Sequence, residues 1–352
     1  MTDLEKLCLR VTEAADCAVI TDDVNRRYFT AMKSSAGTLV VFPEKAYFII
    51  DFRYIEKAKK TVTACEVILQ DKLCEQINSL IEKHGAKTVS VNADTCTLSE
   101  LIAYQQKLNA EVIADTKLAE IIREIRTVKS QEQIDKIIKA QRIAEKGFAH
   151  MLDFIKVGRT EKEIQLELDY YMLKNGAEAL SFDTIALSGS NTSLPHGVPS
   201  DKKVESGEFV LMDFGATYDG WHSDMTRTVC VGKPSDKMKS VYGTVLTAQL
   251  TALDAVKAGM SGKALDKIAR DIITEAGYGD NFGHSLGHGV GVEIHESPYA
   301  SPSREDILPE NSIVTVEPGI YLEGKFGVRI EDFVVVTENG CINMTKAPKE
   351  LI

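Results

Sequence analysis

The sequence predicts two domains in succession: a small α/β domain over residues 1–125 and a larger α+β domain over residues 126–352. Three observations carry that expectation. A chain of 352 residues is longer than one ordinary core organises. Up to about residue 120, short β-rich apolar runs alternate with polar stretches of helical character, which describes a small α/β domain. Beyond that point the chain turns helical and then rich in strands and loops, with two hairpins that carry paired acids.

In the first domain the expected strands are CAVIT (17–21), GTLVVFP (37–43), AYFIID (46–51), TACEVIL (63–69) and TVSVN (88–92). Their β-branched and aromatic content suits a pleated, buried surface. IEKAKKTV and CEQINSLIEKHG read as helices. Asp51, Arg53 and Tyr54 directly follow a strand and read as a surface turn feeding a helix. This half has no cluster of His or Cys and no glycine-rich phosphate loop, so no cofactor site is expected in it.

Residues 118–175 are expected to be helical, with breaks at Lys129 and near Gly158. Ser130 with Gln133, and Thr160 with Glu163, have the spacing of capping boxes. Between them Ile134, Ile137, Ile138, Ile143, Phe148 and Met151 keep an apolar helical face. The domain boundary is placed in REIRTVKS, near residue 125, and further helices are expected at about 236–257 and 262–276.

Bulk composition excludes several classes. Hydrophobic and charged fractions of 44% and 26% are those of a soluble globular protein. With 41 basic and 52 acidic residues the formal charge is −11, which argues against a nucleic-acid surface. Seven cysteines without a C-x-x-C pair read as reduced thiols. MTDLEKLCLRV lacks the apolar segment of a signal peptide, and no run approaches the roughly 18 apolar residues of a membrane span. A cytoplasmic protein with no membrane and no nucleic-acid partner is expected.

The chemistry concentrates in the last 140 or so residues. GEFVLMDFGATYDGWHSDMTRTVCV, residues 207–231, reads as two strands joined at a turn around Tyr218, Asp219 and Gly220. Asp213 and Asp224 are equidistant from the middle of that turn and are expected to stand opposite one another. SIVTVEPGIYLEGKFGVRIEDFVVV, residues 312–336, repeats the device, with Glu317 and Glu331 equidistant from Gly324. Opposed side chains are about 5 Å apart at Cβ, where two carboxylates repel by a few kcal/mol, about 3 at an effective dielectric near 20. Cations or retained protons must offset this.

DNFGHSLGHGVGVEIHES, residues 280–297, sets His284, His288 and His295 among glycines, a composition poor for a core and good for ligation. His196 lies in SLPHGVPS, between Pro195 and Pro199. His222 should point away from the face of Asp224. GHSLG also matches a nucleophile elbow at Ser285, which requires an acid and then a histidine downstream. Only Glu293 stands between Ser285 and the last histidine, His295, and this reading leaves the paired acids unexplained. It is set aside as a chance match.

LMDFGA…SDMTRT, GHGVG…HE, EPGIY and GVRIED resemble the signature segments of the pita-bread metallopeptidases, which include aminopeptidase P, prolidase and methionine aminopeptidase. The resemblance spans the whole chain, with the motifs in order between residues 190 and 335. It implies a pita-bread fold for the second domain, preceded by the creatinase/ribonuclease H-like domain of the proline-specific branch. By that resemblance Asp213 chelates one metal, Asp224 and Glu331 bridge two, and His288 and Glu317 complete the second. Such a hard N/O set suits manganese and accepts cobalt or zinc. The resemblance further implies that Glu317 shuttles the proton to the leaving nitrogen. It makes His196 and His295 the groups that bind the carbonyl and its oxyanion. His284, Tyr321 and Arg329 are implied as substrate-pocket groups, Tyr321 and Arg329 also ordering the second hairpin. A purely structural ion pair is an equal reading for Arg329.

The implied activity is hydrolysis of an N-terminal Xaa-Pro bond of the aminopeptidase P type, with prolidase as the alternative. HESPYAS carries no cation after its H-E pair, which argues against strict dipeptide specificity, although basic residues of the first domain such as Arg53 leave the point open. From another class comes a non-catalytic peptide-binding module, but such relatives lose metal ligands and all five are present here. The implied partners are proline-containing peptides and a second copy in a homodimer, with the leading domain serving substrate access and dimerisation.

Overall fold

The apolar runs at the start of the chain form a six-stranded mixed sheet in the computed structural model, which describes residues 1–352. The strands are β1 (Cys17–Ile20), β2 (Thr38–Val41), β3 (Ala46–Ile50), β4 (Glu66–Leu69), β5 (Thr88–Val91) and β6 (Glu111–Ile113), in the order β4-β3-β2-β1-β5-β6. The helices are α1 (Asp3–Arg10), α2 (Asp23–Thr30), α3 (Ile55–Thr61), α4 (Leu73–His84), α5 (Leu98–Lys107) and α6 (Lys117–Thr127). Alternate strand residues go to opposite faces. Ala18, Ile20, Leu39, Val41, Phe48 and Ile50 pack with residues of α1, α2, α3 and α6, whereas Val19, Val40, Tyr47 and Ile49 pack with Ile77, Leu80 and Ile81 of α4. Burial on both faces is why these strands read as unbroken apolar runs instead of alternating ones. Strand β6, only partly buried and three residues long, offers just Val112 and Ile113 as β-formers in NAEVIA, too short a run to give a comparable signal. Asp51 and Arg53 pair across the turn that leads into α3.

The chain divides into two units, Met1–Arg126 and Thr127–Ile352. The second opens with α7 (Gln131–Phe154) and α8 (Glu161–Lys174), and both expected capping boxes form, at Ser130/Gln133 and Thr160/Glu163. Short strands β7 (Ala179–Leu180) and β8 (Ile185–Ser188) follow, then β9 (Glu208–Phe214), β10 (Ala216–Tyr218), β11 (Trp221–His222) and β12 (Met225–Val231). Helices α9 (Asp236–Ala255) and α10 (Gly262–Glu275) precede β13 (Gly287–Gly289) and β14 (Glu296–Ala300). The chain ends with β15 (Ile313–Val316), β16 (Gly319–Leu322), β17 (Phe326–Arg329), β18 (Asp332–Thr337) and β19 (Gly340–Asn343). One core packs α7 and α8 on β9 and β12, through residues such as Phe148, Leu168, Val210 and Met212. The other packs α9 and α10 on the final hairpins, through Val245, Leu265, Val314 and Val334.

The two acid-bearing hairpins differ in register. β15 pairs with β18 as Val316↔Asp332, and β16 with β17 as Gly319↔Arg329, one continuous register that sets Glu317 across from Glu331 as the symmetric spacing anticipates. Between these ladders the strands part. The Glu317 N–H donates to Leu286 O at 2.9 Å and the Glu331 N–H to Thr226 O at 3.1 Å, so each acid is tied by its own backbone to a neighbouring strand.

The first hairpin departs from expectation. Its turn is Asp219–Gly220, both residues at positive φ (49° and 82°), and β9 pairs with β12 so that Thr226 faces Asp213. Such a two-residue turn matches the right-handed twist of the strands, and it is centred one residue later than the symmetric spacing places it. Asp224 therefore stands diagonal to Asp213 on the same face, not directly opposite it.

Candidate active site

All five acids and imidazoles of the sequence motifs line one cavity of about 490 Å³: Asp213, Asp224, His288, Glu317 and Glu331. Asp224, His288 and Glu331 are the tightest group, each offering an atom within 4.8 Å of the others. His288 Nε2 lies 3.6 Å from Asp224 and 3.3 Å from Glu317. Asp213 joins through Arg329, which donates a short hydrogen bond to its Oδ2.

Each ligand-type side chain is held by a neighbour. Thr226 donates its hydroxyl to Glu331 Oε2 at 2.8 Å. Thr315 donates its hydroxyl to Glu317 Oε1 at 3.1 Å and receives the His288 N–H at 3.0 Å. His288 Nδ1 is 3.1 Å from Gly289 O, a carbonyl that can only accept. That contact keeps a proton on Nδ1 and turns Nε2 toward the acids, so Nε2 is the atom that can give up its proton and become a ligand. The backbone of β13 comes so close to β15 that a Cβ on Gly287 would sit 2.0 Å from Thr315 O, so only glycine fits.

The electrostatics are those of crowded acids with too few cations. Burial, and then the charge of Asp213, pushes the Asp224 carboxyl well above the usual carboxylate range. Burial and the charge of Asp224 do the same to Glu331. Burial also raises Asp213, against the pull of Arg329. Glu317 goes the other way: burial raises it, but the His288 hydrogen bond and charge outweigh that and bring it down to about 2. Burial opposes a charged His288, yet Glu317 and Asp224 lift it to about 9. Asp213 Oδ1 and Glu331 Oε1 are buried without any hydrogen-bond partner. Unpartnered anionic oxygens in such a place are costly. Four carboxylates with one imidazole around one cavity, two of their oxygens buried without a partner, are a donor set that fits hard divalent cations.

The substrate-side residues divide. His196 and His295 are exposed and line the cavity, and the His295 ring sits 4.4 Å from that of His288, edge to face. His284 also lines it, but both its nitrogens are taken: Nδ1 is 2.8 Å from Ser285 O and Nε2 is 2.9 Å from the Tyr321 hydroxyl. Since a carbonyl cannot donate, Nδ1 carries the proton and Tyr321 donates to Nε2. Arg329 in turn donates to that hydroxyl at 2.8 Å. His284 can therefore offer only its ring to a ligand. Tyr321 does not line the cavity; it stands behind it, a correction to its expected place in the pocket. Ser285 gives its hydroxyl to Ser301 at 3.0 Å and not to a histidine, and both nitrogens of the adjacent His284 are engaged elsewhere, which disposes of the nucleophile-elbow alternative. His222 lies away from the cavity, 3.3 Å from the Thr217 hydroxyl.

Sequence reasoning missed the apolar wall: Phe182, Ile185, Ile294 and Tyr299 line the same cavity, as does Asp183. Phe182 and Ile294 are isolated in loops, and Ile185 and Tyr299 sit near the ends of short strands, so none belongs to a periodic run that would mark it. Thr226 was missed as well, although its place two residues after Asp224, on the same strand face, was a signal that could have found it.

Residues 135–338 match the model of metallopeptidase family M24, and residues 10–128 match the creatinase/prolidase N-terminal domain. An Xaa-Pro dipeptidase of Pyrococcus horikoshii is 46% identical over 338 residues, covering 96% of this chain and 94% of its own. Among solved structures, an Xaa-Pro dipeptidase from Bacillus anthracis is 41% identical with a TM-score of 0.96, covering 99% of this chain and 98% of its own. An X-Pro aminopeptidase from Thermotoga maritima is 39% identical with a TM-score of 0.89, covering 96% and 97%. The fold is thus a creatinase-type domain followed by a pita-bread domain, and the chain belongs to metallopeptidase family M24.

Proposed function

We propose that this protein cleaves the N-terminal Xaa-Pro bond of peptides with two divalent ions, manganese first among those the site suits. The observation that carries the proposal is the convergence of four buried or largely buried carboxylates and one imidazole on a single cavity, with two of their oxygens left without partners. Asp213, Asp224, His288, Glu317 and Glu331 would hold the ions. When bound, such ions supply Lewis acidity and neutralise charge at the reacting carbonyl.

The chain's own groups do the rest. Glu317 takes a proton from the attacking water and returns it to the proline nitrogen as the C–N bond breaks. That nitrogen has no N–H of its own and leaves only once protonated. His196 and His295 donate to the carbonyl oxygen as it becomes an oxyanion. His295 is held toward its neutral form, chiefly by the partial burial of its ring nitrogens and then by His288, so it remains a single N–H donor. Phe182, Ile185, Ile294 and Tyr299, with the ring of His284, accommodate the pyrrolidine. Arg329, at the cavity wall, holds Asp213, and Tyr321, behind it, links Arg329 to His284.

For peptide length, the aminopeptidase reading is favoured because no lysine lines the cavity and its one arginine, Arg329, is committed to Asp213, Tyr321 and Thr226. The free carboxylate of a dipeptide would meet no uncommitted cation there. A dipeptidase is the second reading. Its support is the Arg304 guanidinium, 4.2 Å from the ring centre of cavity-lining Tyr299, together with the dipeptidase names of two relatives. The leading domain is assigned to substrate access and to dimerisation in a cytoplasmic homodimer; no helix is long and apolar enough to cross a membrane.

The test measures metal content and hydrolysis of Xaa-Pro, Xaa-Pro-Yaa and longer peptides, before and after chelation. Turnover of the longer peptides that disappears with chelator and returns with manganese supports the proposal. Full turnover of chelated protein, or none with manganese, cobalt or zinc, would overturn it. Cleavage confined to dipeptides would decide for the second reading.

A further inference from the structure

We infer that Glu161 is the positioning residue for His196, an inference that rests on the catalytic reading above. His196 is exposed on the loop from Ser188 to Ser200, and its ring makes no hydrogen bond to the protein. Its place is therefore set by the loop backbone alone, and whatever fastens the loop sets the histidine.

Glu161, the first residue of α8, is fully buried although it carries a carboxylate. Its Oε1 accepts from the Ser188 N–H at 2.7 Å, the Ser188 hydroxyl at 3.2 Å and Asn191 Nδ2 at 3.0 Å. Its Oε2 accepts from Asn191 Nδ2 at 3.2 Å, the Ser200 N–H at 3.0 Å and the Ser200 hydroxyl at 2.6 Å. One oxygen holds the start of the loop and the other holds its end. These contacts are not helix capping, because Thr160 already accepts from the Glu163 N–H at 3.1 Å. Nor is Glu161 a spare metal ligand: it does not line the cavity and both oxygens are saturated.

The remaining fastenings point the same way. The Lys162 N–H donates to Ser200 O at 3.1 Å, which ties the loop's end to α8. Thr192 Oγ1 accepts the Gly327 N–H at 2.7 Å, and Arg329 reaches Pro195 O at 3.4 Å, so the middle of the loop hangs from the second acid hairpin. Glu161 thus closes the loop at its base while that hairpin aims its tip. A carboxylate is required because both ends present donors. A glutamine has one oxygen and would turn an NH₂ on the donors of the other end.

The test compares the wild type with Glu161→Gln, Ser200→Ala, His196→Ala and the Glu161→Gln/His196→Ala double variant, all loaded with manganese. Expected for Glu161→Gln are unchanged metal stoichiometry, and kcat on an Xaa-Pro-Yaa peptide lowered on the order of 10²-fold with little change in KM, since a small displacement of an aligned group costs about that much. Ser200→Ala, the milder variant, should lose severalfold. In the His196→Ala background Glu161→Gln should cost no more than a further twofold. Amide exchange should accelerate in residues 188–200 and not in 207–231 or 312–336. Wild-type kcat in Glu161→Gln, a multiplicative loss in the double variant, or faster exchange across the whole second unit would each refute the inference. If the wild type itself cleaves no Xaa-Pro peptide, the catalytic reading falls, and the exchange pattern still decides whether Glu161 fastens this loop.

Discussion

Replacing Glu331 by glutamine should stabilise the metal-free protein and destroy its response to metal. Asp224 and Glu331 have carboxylate oxygens within 4.8 Å of each other. Two unit charges at that separation repel by about 3 kcal/mol at an effective dielectric near 20. Glutamine keeps the shape, can retain the hydrogen bond from Thr226, and puts an NH₂ where Oε1 is buried without a partner. The sign follows from the raised carboxyls. A carboxyl raised in the folded state contributes no penalty below the ordinary carboxylate range, because it is protonated both folded and unfolded. The penalty accumulates as pH climbs through the folded-state value, and it is greatest in mild alkali. Chelated Glu331→Gln should therefore melt above chelated wild type at pH ~8, by roughly 2–4 °C for each kcal/mol relieved. The gap should narrow toward pH ~5. Manganese should reverse the order: at a hundred times its Kd it adds about 2.7 kcal/mol to the wild type, and little to a variant lacking a bridging acid. Calorimetric melts with chelator and with manganese, at both pH values, are the assay. A variant that melts below the wild type even when chelated at pH ~8, or that still gains stability from manganese, would refute the electrostatic account.

Arg329→Lys should lower stability by about 3–5 kcal/mol in denaturant titrations, because an ammonium cannot serve Asp213, Tyr321 and Thr226 together and leaves a buried acid unpaired; an unchanged midpoint would contradict this. Tyr321→Phe removes the hydroxyl that links Arg329 to His284, so stability should fall by about 1 kcal/mol and turnover should drop while metal content stays constant. Loss of metal in that variant would place Tyr321 in ligand support instead. His196→Ala should slow turnover on the order of 10²-fold with both ions retained, as expected of an oxyanion donor; parallel loss of metal would rule out that role.

Much of this protein was determined locally, and those parts were legible. The capping boxes at Ser130 and Thr160 form because a side chain and a backbone N–H three residues apart meet by geometry alone. The buried runs of β1, β2 and β3 declared themselves because both faces of their sheet are covered. The pairing of Glu317 with Glu331 could be counted from Gly324, since a hairpin's register is set by its turn. Tertiary structure decided the rest. Only the closure of Asp219 and Gly220 into a two-residue turn moved Asp224 to the diagonal of Asp213. Only packing showed that both nitrogens of His284 are taken and that Tyr321 stands behind the cavity. The apolar wall and the grip of Glu161 on the loop of His196 join residues far apart in the chain, through contacts that no local period encodes. Such pairings depend on how whole elements pack, which is where a linear reading loses its physical warrant.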